Sequence, residues 1–192
     1  PEGAIRRAQT TMGTALSLGA SNVDCQVATK AFAEVYLEYD RLERLTSTKN
    51  AASDLSRINA AAGRAPVQVA PEVFALVELA LGFAEKSGGA FDPTFAAMDG
   101  VWSFEDGAKV APTDDIATAR SFVNYRDVVL NKEAQTIFLK RLGIRLSLGG
   151  IAKGYATDNA VTILKRHGLK DFIIRSGGEV FIMGNPGGAD RR

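Results

Sequence analysis

The order of helices and strands along the chain predicts an α+β fold of mixed sheets and packed helices, and three observations carry that prediction. Asp127 to Leu130 and Thr136 to Leu139 read as short strands joined in hairpin fashion by Asn131-Lys132-Glu133-Ala134-Gln135. Two long segments, from about Asp24 to Leu45 and from Pro71 to Ala84, repeat apolar residues at helical spacing. A further strand, Ile144 to Leu148, leads through a glycine-rich turn into a helix. Hairpins interleaved with helices favour α+β over a doubly wound parallel sheet.

Taken in order, Thr10 to Gly19 alternates Met12, Thr14, Leu16 and Leu18 against Thr11, Ala15 and Ser17, the pattern of one strand. In the first long helix Val27, Ala31, Val35, Leu42 and Leu45 recur at three- and four-residue spacing, while Glu34, Glu38, Asp40, Arg41 and Glu43 mark a solvated side. Cys25, at its start, reads as a packed thiol. A polar loop, Thr46 to Ala52, precedes a short helix that Ser53 can cap and that ends near Gly63. Pro71 suits the first position of the second long helix, which is apolar nearly all round, hence expected to be buried, and which Ser87-Gly88-Gly89 stops.

Ala90 to Thr94 reads as a turn, Ala111 to Asp115 as an acidic loop starting a short helix to Phe122. After the hairpin and the Ile144 to Leu148 strand come a helix from Tyr155 to His167, a strand from Phe172 to Arg175 and a last strand from Val180 to Met183. Gly184 to Arg192 has loop composition.

Composition narrows the function classes. The chain has 192 residues, 46% of them hydrophobic, enough for a packed core. Its 23 basic and 22 acidic residues nearly cancel, which argues against nucleic acid or a membrane surface as partner and for a small molecule or a protein. One cysteine excludes an internal disulfide and a cysteine-based metal site. The one histidine, His167, stands before Gly168 at a helix end, the place of a cation at a helix C-terminus, so a Ser-His-Asp mechanism is not expected. No apolar run reaches membrane-span length. Pro1 to Arg7 lacks the apolar core of a signal peptide, and a first residue other than Met points to a trimmed start.

The motif that invites chemistry is Ser147-Leu148-Gly149-Gly150-Ile151-Ala152-Lys153-Gly154-Tyr155. Bare glycines let an anion or a metal approach the backbone, and Lys153 brings a positive charge to the start of the next helix. The spacing is neither a Walker P-loop nor G-x-G-x-x-G. A tight turn with a surface lysine is the competing reading.

Six pieces in fixed order complete the picture. They are Thr11-Met12-Gly13-Thr14; Ser47-Thr48 with Ser53 to Asn59; Ser87-Gly88-Gly89-Ala90-Phe91-Asp92-Pro93-Thr94; Trp102-Ser103-Phe104; Leu148 to Asp158; and Ser176-Gly177-Gly178-Glu179. Together, from about residue 10 to 185, they resemble the ApbE family of FAD:protein FMN transferases. The resemblance implies an ApbE-like (T-fold-like) α+β fold, of which residues 1–192 would form the N-terminal two-thirds. It also implies magnesium-dependent transfer of the FMN moiety of FAD to a threonine or serine hydroxyl of a target flavoprotein subunit, with release of AMP.

Carried over by position, the resemblance implies FAD contacts at Met12, Ala90, Phe91, Asp92 and Lys153, and a magnesium ligand in the main-chain carbonyl of Gly150. Lys49 stands where many relatives have an aromatic residue able to stack on the flavin, and Ser147 where aspartate is common; both are expected at the cofactor site. Thr94 is expected to cap or line the cleft, and Asp158 to hydrogen-bond near the turn. The rest of the magnesium site is expected beyond Arg192, in a remainder that is cleaved, lost or supplied by a second polypeptide. Family habit places the activity in the periplasm, or on a membrane facing it. A non-catalytic FAD- or nucleotide-binding maturation protein is the competing reading, favoured by Lys49 and Ser147.

Overall fold

The computed structural model describes residues 4–101 and 111–186. Trp102-Ser103-Phe104 and the end of the expected C-terminal loop lie outside them. In chain order the elements are β1 (Ile5–Thr11), β2 (Thr14–Ser21), α1 (Cys25–Thr46), α2 (Asp54–Ala60), β3 (Val67–Gln68), α3 (Pro71–Lys86), a 3-10 helix (Pro93–Gly100), α4 (Thr113–Arg120), a 3-10 turn (Tyr125–Asp127), β4 (Val128–Asn131), β5 (Thr136–Leu139), α5 (Ala152–Arg166), β6 (Asp171–Ser176) and β7 (Glu179–Met183). They fall into two compact units, one formed by the residues up to Glu43 with those from Ala152 on, the other by Arg44–Ile151.

The first unit is a four-stranded antiparallel sheet of order β1-β2-β6-β7 carrying α1 and α5. Leu16, Leu18 and Ala20 of β2 pair with Ser176, Ile174 and Phe172 of β6. The sheet leucines and Phe172 pack with Ala28, Phe32, Val35 and Tyr39 of α1 and with Ala156, Ala160 and Leu164 of α5. The single strand expected over Thr10 to Gly19 is in fact a hairpin broken at Met12-Gly13. Both turn residues have positive φ, 49° and 70°, as a two-residue type I′ turn requires. An apolar residue at the first turn position let the alternation run on through the break.

Asp24 caps α1, its Oδ1 accepting from the N–H groups of Gln26 (2.8 Å) and Val27 (3.2 Å). The buried row begins at Ala28, so Cys25 and Val27 in the first turn are exposed, against the expectation of a packed thiol and a core valine. Asp40, expected on the solvated side, is partly buried and accepts a hydrogen bond from the Thr11 hydroxyl at 3.0 Å.

The Arg44–Ile151 unit holds the three-stranded antiparallel sheet β3-β5-β4 with α2, α3 and α4. Ser53 caps α2 as expected, accepting from Ser56 N at 3.0 Å. α3 starts at Pro71 but is two-faced rather than buried all round: Val73, Phe74, Leu76, Val77, Ala80 and Ala84 are buried, while Leu79 and Phe83, one turn apart, are about half exposed (46% and 47%). Apolar composition on both sides hid which side packs.

Ile144 to Leu148, expected as a strand, joins no ladder, although Ile144, Leu146 and Leu148 are buried. The Asn59 side chain supplies the missing strand partner: its Nδ2 donates to Leu146 O (2.9 Å) and its Oδ1 accepts from Leu146 N (2.7 Å). The expected strand is therefore not formed, and a side-chain amide pairs the segment's backbone instead.

Candidate functional site

An open cleft of about 380 Å3 lies within the Arg44–Ile151 unit. One wall is built where α3 ends. Gly88 and Gly89 take positive φ (64° and 87°), Gly89 N donates back to Ala84 O (2.8 Å), and the Ser87 hydroxyl accepts from Phe91 N (3.0 Å). Asp92 then caps the 3-10 helix with Pro93 in its first turn. Its Oδ1 accepts from Thr94 N (2.8 Å) and the Thr94 hydroxyl (2.6 Å), and its Oδ2 from Tyr125 N (2.9 Å).

The opposite wall is the glycine turn. Ser147 N donates to Pro93 O (2.8 Å), which ties the two walls together, and Ser147 Oγ accepts from Gly149 N (3.2 Å). That i to i+2 bond is the turn an aspartate could also form, so the serine keeps the local geometry without the charge. Gly150 has no positive φ; its lack of a side chain answers to packing, because a Cβ there would stand 2.8 Å from Cε2 of Phe91. The space expected for an approaching phosphate or cation is, in the Cβ direction, filled by that ring.

Of the residues singled out from the sequence, Ala90, Phe91, Asp92, Ser147 and Gly150 line this one cleft. Lys49 is exposed in the loop between α1 and α2, where its N–H donates to Ser47 Oγ (3.2 Å), and it is not among the lining residues. Met12 and Lys153 belong to the other unit. Met12 packs against that unit's core and its N–H donates to Glu43 Oε2 (3.0 Å). Lys153 is half-buried in the first turn of α5; its carbonyl accepts from the Thr157 hydroxyl (2.9 Å), which also bonds the Tyr39 hydroxyl (3.0 Å). Thr94 is fully buried rather than lining the cleft, and Asp158 is exposed.

Phe95, Asp99 and Val123 line the cleft without having been singled out. Only Phe95 and Asp99 had a sequence signal, their place in the turn structure that Asp92-Pro93 opens.

Among the described residues no three His, Cys, Asp or Glu side chains cluster as a metal cage. The cleft offers the Gly150 backbone, Asp99 and an Asp92 carboxylate that already accepts three protein hydrogen bonds. That set falls short of the octahedral oxygen coordination of magnesium, so these residues do not by themselves fit a resident ion.

The shifted acids lie on other elements. Glu34 is held below the usual carboxyl value by a hydrogen bond from His167 first and Arg166 second. His167 therefore sits at the end of α5 as a polar partner of Glu34, Nε2 to Oε2 2.7 Å, consistent with a helix-end role.

Fold and cleft together define a class: an α+β protein whose Gly-Ala-Phe-Asp-Pro turn and Ser-Leu-Gly-Gly turn wall a cleft open to a small ligand. Comparison with known proteins makes this specific. The model of the ApbE family matches residues 12–191, and the chain belongs to that family. It is 37% identical over 160 residues to the FAD:protein FMN transferase of Treponema pallidum, covering 80% of this chain and 44% of that protein. It is 29% identical over 174 residues to an FAD:protein FMN transferase of Klebsiella pneumoniae, covering 90% and 54%.

The chain thus spans about half the length of the curated relatives it matches. Among solved structures, the ApbE protein of Thermotoga maritima superposes with a TM-score of 0.84 at 25% identity, covering 95% of this chain and 59% of that one. The flavin transferase ApbE of Vibrio cholerae does so with 0.83 at 21% identity, covering 96% and 60%, a likeness of fold.

Proposed function

We propose that this chain contributes the FAD-binding cleft of an FAD:protein FMN transferase. The observation that carries the reading is the convergence of Ala90-Phe91-Asp92 with Ser147 and Gly150 on one cleft, in a chain whose relatives bear that name. In the reaction a threonine or serine hydroxyl oxygen of a target flavoprotein bonds to the phosphorus of the FMN half of FAD. The pyrophosphate P–O bond breaks, AMP leaves, and the hydroxyl proton passes to solvent or a base. No covalent enzyme intermediate is needed, so the chemistry asks for positioning and charge stabilisation rather than a nucleophile.

Within this reading Ala90 and Phe91 face the cofactor. Magnesium dependence, with the Gly150 carbonyl as one ligand, belongs to the same proposal, as do a periplasmic location and a C-terminal portion that completes the site. Because the described donors do not complete a magnesium site, no step is assigned to the ion. The competing reading, flavin binding without transfer, draws on Ser147, which leaves the turn without the carboxylate common in the family.

The test mixes the protein with FAD, magnesium and a flavoprotein subunit bearing an acceptor threonine, and reads intact mass. An FMN adduct that disappears with a chelator and with a Thr→Val acceptor is expected. FAD binding without any adduct decides for the maturation protein, and absence of FAD binding overturns both readings.

A further inference from the structure

We propose that Asp92 and Thr94 are positioning residues of the cleft, acting through the backbone they hold rather than by touching a ligand, and that their clasp fixes Phe91 opposite Gly150. The inference rests on reading the cleft as a flavin site, and it narrows the expected FAD contact at Asp92 to a role of the backbone there.

The first argument is an account of donors and acceptors. An ionised carboxylate has about four acceptor positions and no donor. Three donors already occupy Asp92: Thr94 N–H at 2.8 Å, the Thr94 hydroxyl at 2.6 Å and Tyr125 N–H at 2.9 Å. Thr94 is equally committed. Its side chain is 0% exposed, its hydroxyl donates to Asp92 and accepts from Asn124 N–H at 2.8 Å, so it has no path to a ligand.

The second argument is what the clasp joins. Phe91, immediately before Asp92, is held at its N–H by Ser87 Oγ, and the carbonyl of Pro93, immediately after, accepts from Ser147 N–H. Four consecutive residues, Phe91 to Thr94, therefore tie the end of α3, the Asn124-Tyr125 segment and the glycine turn to one another. Within that run Asp92, itself at the cleft, and the buried Thr94 spend their side-chain hydrogen bonds on the protein, while the half-buried Phe91 ring lines the cleft against Gly150. Hydrogen bonds to an ionised group are the stronger kind, which suits a clasp that must hold a ring to a fraction of an ångström.

Three variants test it in the full chain: Thr94→Val, which keeps the shape and loses the hydroxyl, Thr94→Ser, which keeps the hydroxyl, and Asp92→Asn. Amide hydrogen exchange is read at Thr94, Asn124 and Tyr125, and FAD affinity by quenching of flavin fluorescence well below the melting temperature. Thr94→Val and Asp92→Asn should speed exchange at these amides and weaken FAD binding about ten-fold each, as loss of one hydrogen bond to a charged group predicts. The double variant should be no worse than either single one, since both break one unit, and Thr94→Ser should behave as the parent.

Unchanged exchange in Thr94→Val overturns the clasp. Unchanged affinity in Thr94→Val beside a loss in Asp92→Asn, or additive losses, returns Asp92 to the role of ligand. Lowered melting with parental affinity makes the clasp merely structural and also refutes the proposal. If the parent protein does not bind FAD, it is the flavin reading that fails, and the exchange measurements still decide whether the clasp exists.

Discussion

Gly150→Ala is the sharpest perturbation of the cleft. The added Cβ would stand 2.8 Å from Cε2 and 3.7 Å from Cζ of Phe91. Carbon atoms at optimal separation lie about 3.5–4.0 Å apart, so the ring edge must retreat by roughly 0.7 Å or more. Insertion of a methyl group into a closed core costs typically about 1–3 kcal/mol. Phe91 is only half-buried and swings on two torsions, which places the expected cost near the lower bound, about 1 kcal/mol or a fall of roughly 2–4 °C in Tm for a chain of this size.

The consequence for function is larger than for stability, because the atom that gives way is a wall of the cleft. FAD affinity should fall about ten-fold, the result of losing about 1.4 kcal/mol of ring contact. Thermal unfolding and flavin fluorescence titration measure the two quantities separately. Gly149→Ala is the internal control, since its Cβ would meet only Ser147 Oγ at 3.4 Å. Replacing Phe91 by Leu in the Gly150→Ala background should recover the lost stability. A loss above about 3 kcal/mol for Gly150→Ala, beyond what overpacking against a movable ring can produce, would refute the reasoning, and so would parental FAD affinity.

Other substitutions separate rigid from yielding neighbours. Gly63→Ala should destabilise by more than about 3 kcal/mol, judged by urea unfolding, because the residue has φ 71° and its Cβ would collide with the backbone of Leu142 and Arg141, which cannot step aside. Asn59→Asp keeps the acceptor for Leu146 N–H but sets a carboxylate against Leu146 O, and should cost about 2–3 kcal/mol in the same assay, with Asn59→Gln no adequate substitute. Glu38 is held below its ordinary value of 4.5 chiefly by a hydrogen bond from Arg41, with Asn159 assisting against burial. The unfolded chain therefore binds that proton more readily, and the stability Glu38 lends is complete above the unfolded pKa and lost as pH falls through the folded one. The Tm difference between the parent and Glu38→Gln should accordingly shrink from about pH 7 to about pH 3.

Much of the architecture was legible because it rests on local signals. The Asp127 to Leu139 hairpin, the Pro71 start and Gly88-Gly89 stop of α3, and the Ser53 cap of α2 each follow from side-chain chemistry within a few residues. What was misread depends on partners distant in sequence. Leu146 finds its hydrogen bonds on Asn59, 87 residues away, and no periodicity announces that a side chain will do the work of a strand. The β1–β2 turn failed differently: Met12 occupies a left-handed position that Asn or Gly usually marks, so only Gly13 signalled the reversal. In α3, apolar residues on two faces left the direction of packing undetermined until Leu79 and Phe83 were seen in solvent.

At the cleft two of the expected residues, Asp92 and Gly150, have an internal duty. A glycine and an aspartate in a turn are compatible with ligand approach, yet each is equally compatible with an internal duty, and sequence does not show which way an acceptor points. For Asp92 the discriminating signal was present. Asp-Pro-Thr is an N-cap followed by a first-turn proline and a donor at the next position, the arrangement in which an aspartate spends its oxygens on backbone N–H groups. For Gly150 no such signal exists, because the ring that forbids its Cβ is 59 positions earlier in the chain, at Phe91. The proposal thus leaves ligand recognition in this cleft to Phe91 and the glycine turn, and gives the acid and the buried threonine the task of holding them in place. That division is what the Gly150→Ala and Thr94→Val measurements set against each other: the first displaces the ring directly, the second loosens its support, and both must weaken flavin binding if the ring is what the flavin meets.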